Sequence, residues 1–122
     1  MNPSHDRIGY LQQLHAEFNE LYFGGLLLPI RVLIKKSSSK AGYYEYTTEK
    51  RDGVWYPRRD MLHKATITIC EWCWDDDDIE GTLIHEMIHQ YQCEILDEDA
   101  NHGPVFRAWA RGLQDETGYD IY

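Results

Sequence analysis

The sequence is poor in cysteine, in proline and in basic charge, and it has no long apolar run. Three cysteines stand among 122 residues. An odd number cannot all pair within one chain, which favours a reducing, cytoplasmic setting over secretion. The run Leu26-Leu27-Leu28 ends at Pro29, far short of the roughly 20 apolar residues that cross a bilayer. No membrane partner is therefore expected. Residues 1–7 lack the basic-then-apolar pattern of a secretory leader. Internal repeats and low-complexity linkers are absent as well. What remains is 43% hydrophobic and 13% aromatic, a composition that folds, in a length that fits one domain over residues 1–122.

The informative stretch runs from Thr82 to Tyr91 and contains His85-Glu86-Met87-Ile88-His89. On a helix, residues four apart lie one turn above each other, with Cβ atoms about 5–6 Å apart. Two imidazoles so placed can take adjacent corners of a tetrahedral Zn²⁺. Glu86 then reaches the open position, where a general base for zinc-bound water belongs. Leu83, Ile84, Met87, Ile88 and Tyr91 surround the pair with apolar bulk, so the helix is expected to be buried. For a third ligand the chain offers Glu94, Asp97, Glu98, Asp99 and His102. Gln92 and Ile95 replace the glycine and histidine that a metzincin would have there, so the helix is expected to run on past the site. His102 precedes Gly103-Pro104, which lets the chain turn and begin a new helix. It is the favoured ligand, with an acidic residue as the alternative.

The residues from Thr82 to His89, then Asn101-His-Gly-Pro-Val-Phe106, then Thr117-Gly118, resemble the SprT-like family, which includes the Spartan proteases. Upstream, Phe18-Asn-Glu-Leu-Tyr-Phe-Gly-Gly25 with Leu28-Pro29, and Ala41-Gly42 with Tyr46, are similar to the family's N-terminal half. The resemblance implies zinc on His85, His89 and His102, with Glu86 catalytic. It also implies a protease acting on DNA-associated proteins, in the Spartan branch on proteins crosslinked to DNA. The cysteine zinc ribbon and the long recruitment tails of many relatives are not expected here. Two other readings stand beside this one: a DNA-independent protease aimed at a regulator such as a repressor, and a non-catalytic binding module with a structural zinc. A structural site has no use for Glu86, which speaks against the second.

The expected fold is α+β and zincin-like: an N-terminal helix, a small antiparallel sheet, the zinc helix and a closing helix. The first helix is placed at residues 5–23, capped by Ser4, with Ile8, Leu11, His15, Phe18 and Tyr22 on its apolar stripe and Gly24-Gly25 ending it. His15 is read as a packed core residue rather than a ligand. Residues 30–35 and 41–48 read as strands of a hairpin turning at Ser37-Ser38-Ser39. Asp52-Gly53 marks another turn, followed by a less regular stretch through Pro57. Residues 64–71 alternate as a half-buried strand.

Asp75-Asp76-Asp77-Asp78 lacks the spaced ligands of a calcium loop and is read as the cap and acidic first turn of the zinc helix. Gly81, inside that helix, costs about 1 kcal/mol relative to alanine; close approach of another backbone would explain it. The closing helix is placed at residues 104–116, with Val105, Ala108, Trp109 and Leu113 inward. Cys70 and Cys73 have only Cys93 beside them, too few for a structural zinc site, and are read as reduced cysteines near a strand end.

The net charge of −9 is unevenly spread. Residues 31–64 hold nine Lys/Arg against four Asp/Glu, whereas residues 65–122 hold two against fourteen. The basic segment also carries Tyr43, Tyr44, Tyr46, Trp55 and Tyr56, a mixture suited to single-stranded DNA, and equally to a solvated sheet or to pairing with the acidic half. Tyr91, Arg107 and Tyr119 are candidates for a second electrophile at the active site.

Overall fold

The computed structural model describes residues 3–36, 40–73 and 78–121. The α+β architecture expected from the sequence is present. Helix α1 spans Pro3–Tyr22, followed by strands β1 (Arg31–Lys35), β2 (Gly42–Glu45), β3 (Thr48–Arg51) and β4 (Val54–Pro57). A 3-10 helix (Arg59–Lys64) leads into β5 (Thr66–Cys70), and helices α2 (Ile79–Glu94) and α3 (Pro104–Thr117) complete the chain. Helix α1 begins at Pro3, so Ser4 lies inside its first turn and not at its cap. The helix ends where Gly24 and Gly25 take φ of +64° and +71°, the left-handed region open to glycine at little cost. Asn19 braces the turn that follows, its side chain accepting from Leu27 N–H and donating to Leu27 C=O, both at 3.0 Å.

The sheet departs from the expected pattern. β1 and β2 do not form a hairpin; β5 lies between them, parallel to β1 (Val32 opposite Ile67) and antiparallel to β2 (Tyr44 opposite Ile67). The turn expected at Ser37-Ser38-Ser39 lies outside the described residues. As the central strand, β5 is buried on both faces, Thr68 included, and the half-buried reading is corrected. Its threonines mimic an alternation that burial does not follow.

The long second strand is two strands: β2 stops at Glu45, and β3 turns into β4 through Asp52 and Gly53, with φ of +51° and +79°. Positive φ at both positions is the two-residue type I′ turn, whose twist suits a hairpin. The stretch after Asp52-Gly53 is therefore regular. In this way the antiparallel pairings are β2–β5 and β3–β4, with β1 added in parallel.

Helix α2 is the centre of the core. Leu83, Ile84, Met87 and Ile88 have no exposed surface, and they pack among Leu11, Phe18, Val32, Ile67, Ile69 and Phe106. Asp78 caps the helix, its carboxylate accepting from Gly81 N–H at 3.0 Å; Asp75, Asp76 and Asp77 lie outside the described residues. On α3 the inward residues are Phe106, Ala110 and Leu113, with Trp109 partly buried. Val105 and Ala108, expected inside, are exposed. The helix is turned so that Phe106, one residue beyond Val105, enters the core. Gly118, with φ of +78°, ends α3 as expected. Cys70, Cys73 and Cys93 are buried, and none is joined in a disulfide. No helix among the described residues is long and apolar enough to cross a membrane.

Candidate metal centre

Helix α2 places His85 and His89 one turn apart, and the loop after it returns His102 to the same point. His102 Nε2 lies 3.1 Å from His89 Nε2 and 3.2 Å from His85 Nε2. The return is built by turns within the loop and by contacts from Arg51 and Tyr46, far back in the chain. Helix α2 ends at Glu94, and Asp97 adopts φ of +50°, reversing the chain. Arg51 holds that carboxylate at 2.8 Å. Tyr46 donates its hydroxyl proton to Asp99 and accepts from Ala100 N–H at 2.8 Å, pinning the loop to the segment between β2 and β3. Asn101 Oδ1 then accepts from Gly103 N–H at 2.8 Å, and Pro104 opens α3 at its first turn.

Phe106 lies against all three imidazoles, with ring centroids 4.7 Å from His85, 4.7 Å from His89 and 4.8 Å from His102. It stacks nearly flat on His89, at 19°. The sequence offered Phe106 only as the end of the His-Gly-Pro run; its role as a floor under the three rings requires the fold.

The outer nitrogens set the tautomers. His85 Nδ1–H donates to Ile121 C=O at 2.7 Å, and His89 Nδ1–H donates to Gln92 Oε1 at 2.8 Å. Each bond leaves the Nε2 lone pair facing inward. Burial lowers the pKa of both rings, His89 to about 4, so both are neutral near pH 7. Two inward lone pairs and a third imidazole thus share one small space. A proton on His102 Nε2 can satisfy only one of them, whereas a cation satisfies all three. The three histidines are a group that could hold a metal ion, and the donor set fits zinc.

Glu86 lies beside them, 4% exposed, with Oε2 4.0 Å from His85 Nε2. Burial pushes its carboxyl up to about 8, against the pull of the Lys40 ammonium and the Tyr44 backbone N–H. A cavity of about 580 Å³ opens onto this group, walled by β2 and the residues before it, by Tyr46, and by the 120–121 segment. Among acidic candidates for the third ligand, Glu94 is committed elsewhere, accepting from Leu28 N–H and from Gln90, both at 2.8 Å. Tyr91 packs against Phe23 and Trp109, and Tyr119 against Phe18. Neither they nor Arg107 line the cavity; Lys40, Tyr43 and Tyr46 do.

With that geometry in view, comparison with known proteins is decisive at the family level. The family model described as SprT-like matches residues 11–121, nearly the whole chain. The chain belongs to the SprT-like family. That family is associated with metalloprotease-like domains, and the three-histidine cluster is compatible with such a domain. No curated protein matches the chain.

Proposed function

We propose that the chain is a zinc metalloendopeptidase with His85, His89 and His102 as metal ligands and Glu86 as general base, acting on DNA-associated proteins. The observation that carries it is the convergence of three Nε2 atoms beside a buried carboxylate in one cavity. Zinc bound there supplies Lewis acidity for a peptide carbonyl and for water. The chain's own residues do the rest. With a divalent cation beside it, which would favour its carboxylate form, Glu86 accepts the proton of the attacking water and returns it to the leaving amine. The Lys40 ammonium and the Tyr44 backbone both favour the charged form of Glu86. β2 is an edge strand whose Gly42, Tyr43 and Tyr44 line the cavity, a template beside which an extended peptide can lie. The DNA association is supported by family membership together with the cations and aromatics of residues 31–64.

Glu86→Gln tests the reading. The amide is nearly isosteric but cannot take up the proton. Zinc content by metal analysis is expected to match the wild type, while cleavage of a protein substrate drops by a factor of about 10² or more. Cleavage retained in that variant, with contaminating protease excluded, would move the base elsewhere. His102→Ala with full, tightly held zinc would overturn the ligand set.

A further inference from the structure

We propose that Gln92 is a positioning residue for the metal centre, setting the tautomer of His89 and the place of the loop that bears His102 with one side chain. The inference rests on the metal-ligand reading above. Gln92 is fully buried. Its Oε1 accepts from His89 Nδ1–H at 2.8 Å and from Asn101 N–H at 3.4 Å. Its Nε2 donates to Asn101 C=O and to Glu98 Oε1, both at 3.1 Å.

The network dictates the orientation of this amide. A carbonyl and a carboxylate can only accept, and a backbone N–H can only donate. The oxygen must therefore face His89, so Nδ1 carries the proton and the Nε2 lone pair points to His102 Nε2, 3.1 Å away. The opposite tautomer would set a lone pair against the Gln92 oxygen and a proton where a cation belongs. The same amide grips both backbone groups of Asn101, and His102 is the next residue. The main chain adds a bond from Glu98 N–H to Gln92 C=O at 3.1 Å. By contrast, the Ile121 carbonyl fixes the tautomer of His85 without touching the loop. Gln92 is thus the link between a ligand on α2 and a ligand beyond it.

Two substitutions separate its two tasks. Gln92→Met preserves length and approximate volume and removes all four side-chain bonds. Gln92→Glu keeps an acceptor for His89 but loses the donor to Asn101. Two readouts apply: the zinc dissociation constant by chelator competition, and the long-range ¹H–¹⁵N spectrum of the histidines in zinc-free protein, which reports each tautomer. Gln92→Met is expected to weaken zinc about tenfold to a hundredfold and to shift His89 from Nδ1–H to a mixture, leaving His85 unchanged. Gln92→Glu is expected to keep the His89 tautomer and still weaken zinc, through the loosened loop.

Wild-type affinity and tautomer in a folded Gln92→Met protein would overturn the proposal. Should that variant not fold, Gln92→Glu decides, and unchanged zinc affinity there overturns it. If the wild type itself binds no zinc, the metal-centre reading fails, while the His89 tautomer in the zinc-free variants still supports or overturns the hold exerted by Gln92.

Discussion

At the scale of single residues, Gly81 shows how tightly the metal helix is enclosed. A Cβ built there would sit 1.9 Å from Asp120 O and 2.7 Å from its carbonyl carbon, and backbone cannot yield as a side-chain tip can. The close approach that explains a glycine inside a helix is the 120–121 segment. That segment is tied down by Asp120 N–H to Asp78 at 2.9 Å and by Ile121 N–H to Gln114 at 2.9 Å. Gly81→Ala gains about 1 kcal/mol of helix propensity but forces this segment outward. We expect a net loss of about 1–3 kcal/mol in denaturant unfolding, together with weaker zinc binding, because Ile121 C=O is the partner of His85 Nδ1. Unchanged stability and affinity would mean that the segment yields freely. The His85-Glu86-x-x-His89 spacing and the Gly103-Pro104 turn made the catalytic and ligand candidates legible, because both depend on local geometry. Gln92 was noticed in the sequence only for not being glycine. Its role depends on Asn101 and Glu98 folding back over it, which no local pattern encodes. The electrophile candidates Tyr91, Arg107 and Tyr119 do not line the cavity, and which wall of a cavity a side chain joins is likewise not encoded in any local pattern.

At the scale of elements, helices were read well and strands less well. Helical spacing is a property of the helix itself, and α1 and α3 fall within two residues of where the pattern puts them, while α2 contains the whole Thr82–Tyr91 stretch. A strand's partner is not local, so nothing in residues 30–48 reveals that β5 will separate β1 from β2. The junction between α1 and α2 carries one buried polar bridge. His15 Nε2–H donates to Gln90 Oε1 at 2.8 Å, while Gln90 Nε2 donates to Leu28 C=O at 2.9 Å and to Glu94 at 2.8 Å. Burial lowers the His15 pKa below 6.5. The folded state therefore binds fewer protons at this site than the unfolded one once the pH falls below 6.5, and its stability contribution, full above that value, is lost as the pH drops toward the folded pKa. The burial of Glu94 raises its pKa and acts with the opposite sign, so a comparison is needed. In zinc-free protein, the wild type is expected to lose stability between pH 6.5 and 5 more steeply than His15→Gln, by up to about 1.4 kcal/mol per pH unit. Parallel unfolding curves across that range would show that His15 titrates normally.

At the scale of the whole molecule, charge separation along the chain is partly cancelled in space. Arg51 and Arg59 both reach Asp97, at 2.8 and 3.6 Å, and Arg59 also donates to the last carbonyls of α2, Cys93 at 3.2 Å and Glu94 at 2.9 Å. Reversal of Arg59 would disturb the fold, which removes it from the patch the sequence had offered for DNA. Lys35 lies over the half-buried Tyr43 ring at 5.8 Å and Lys50 over the exposed Trp55 at 5.1 Å, pairs of cation and aromatic of the kind that suits a single strand. Combined reversal of Lys35, Lys36 and Lys40 is expected to weaken single-stranded DNA binding several-fold at low salt without loss of zinc, and wild-type affinity should itself fall steeply as salt rises. Fluorescence anisotropy with a labelled oligonucleotide measures both; no binding at low salt would leave a protease that needs no DNA. The interposed position of β5 bears on how the molecule comes into being. β1 and β2 are complete by residue 45, yet the strand that joins them ends at Cys70, and α2, which covers them, follows later still. During synthesis more than half of the chain emerges before its sheet can close. Closure of the sheet then waits on long-range contacts, which slow assembly, and the waiting strand edges are the surfaces on which a second nascent copy could pair instead.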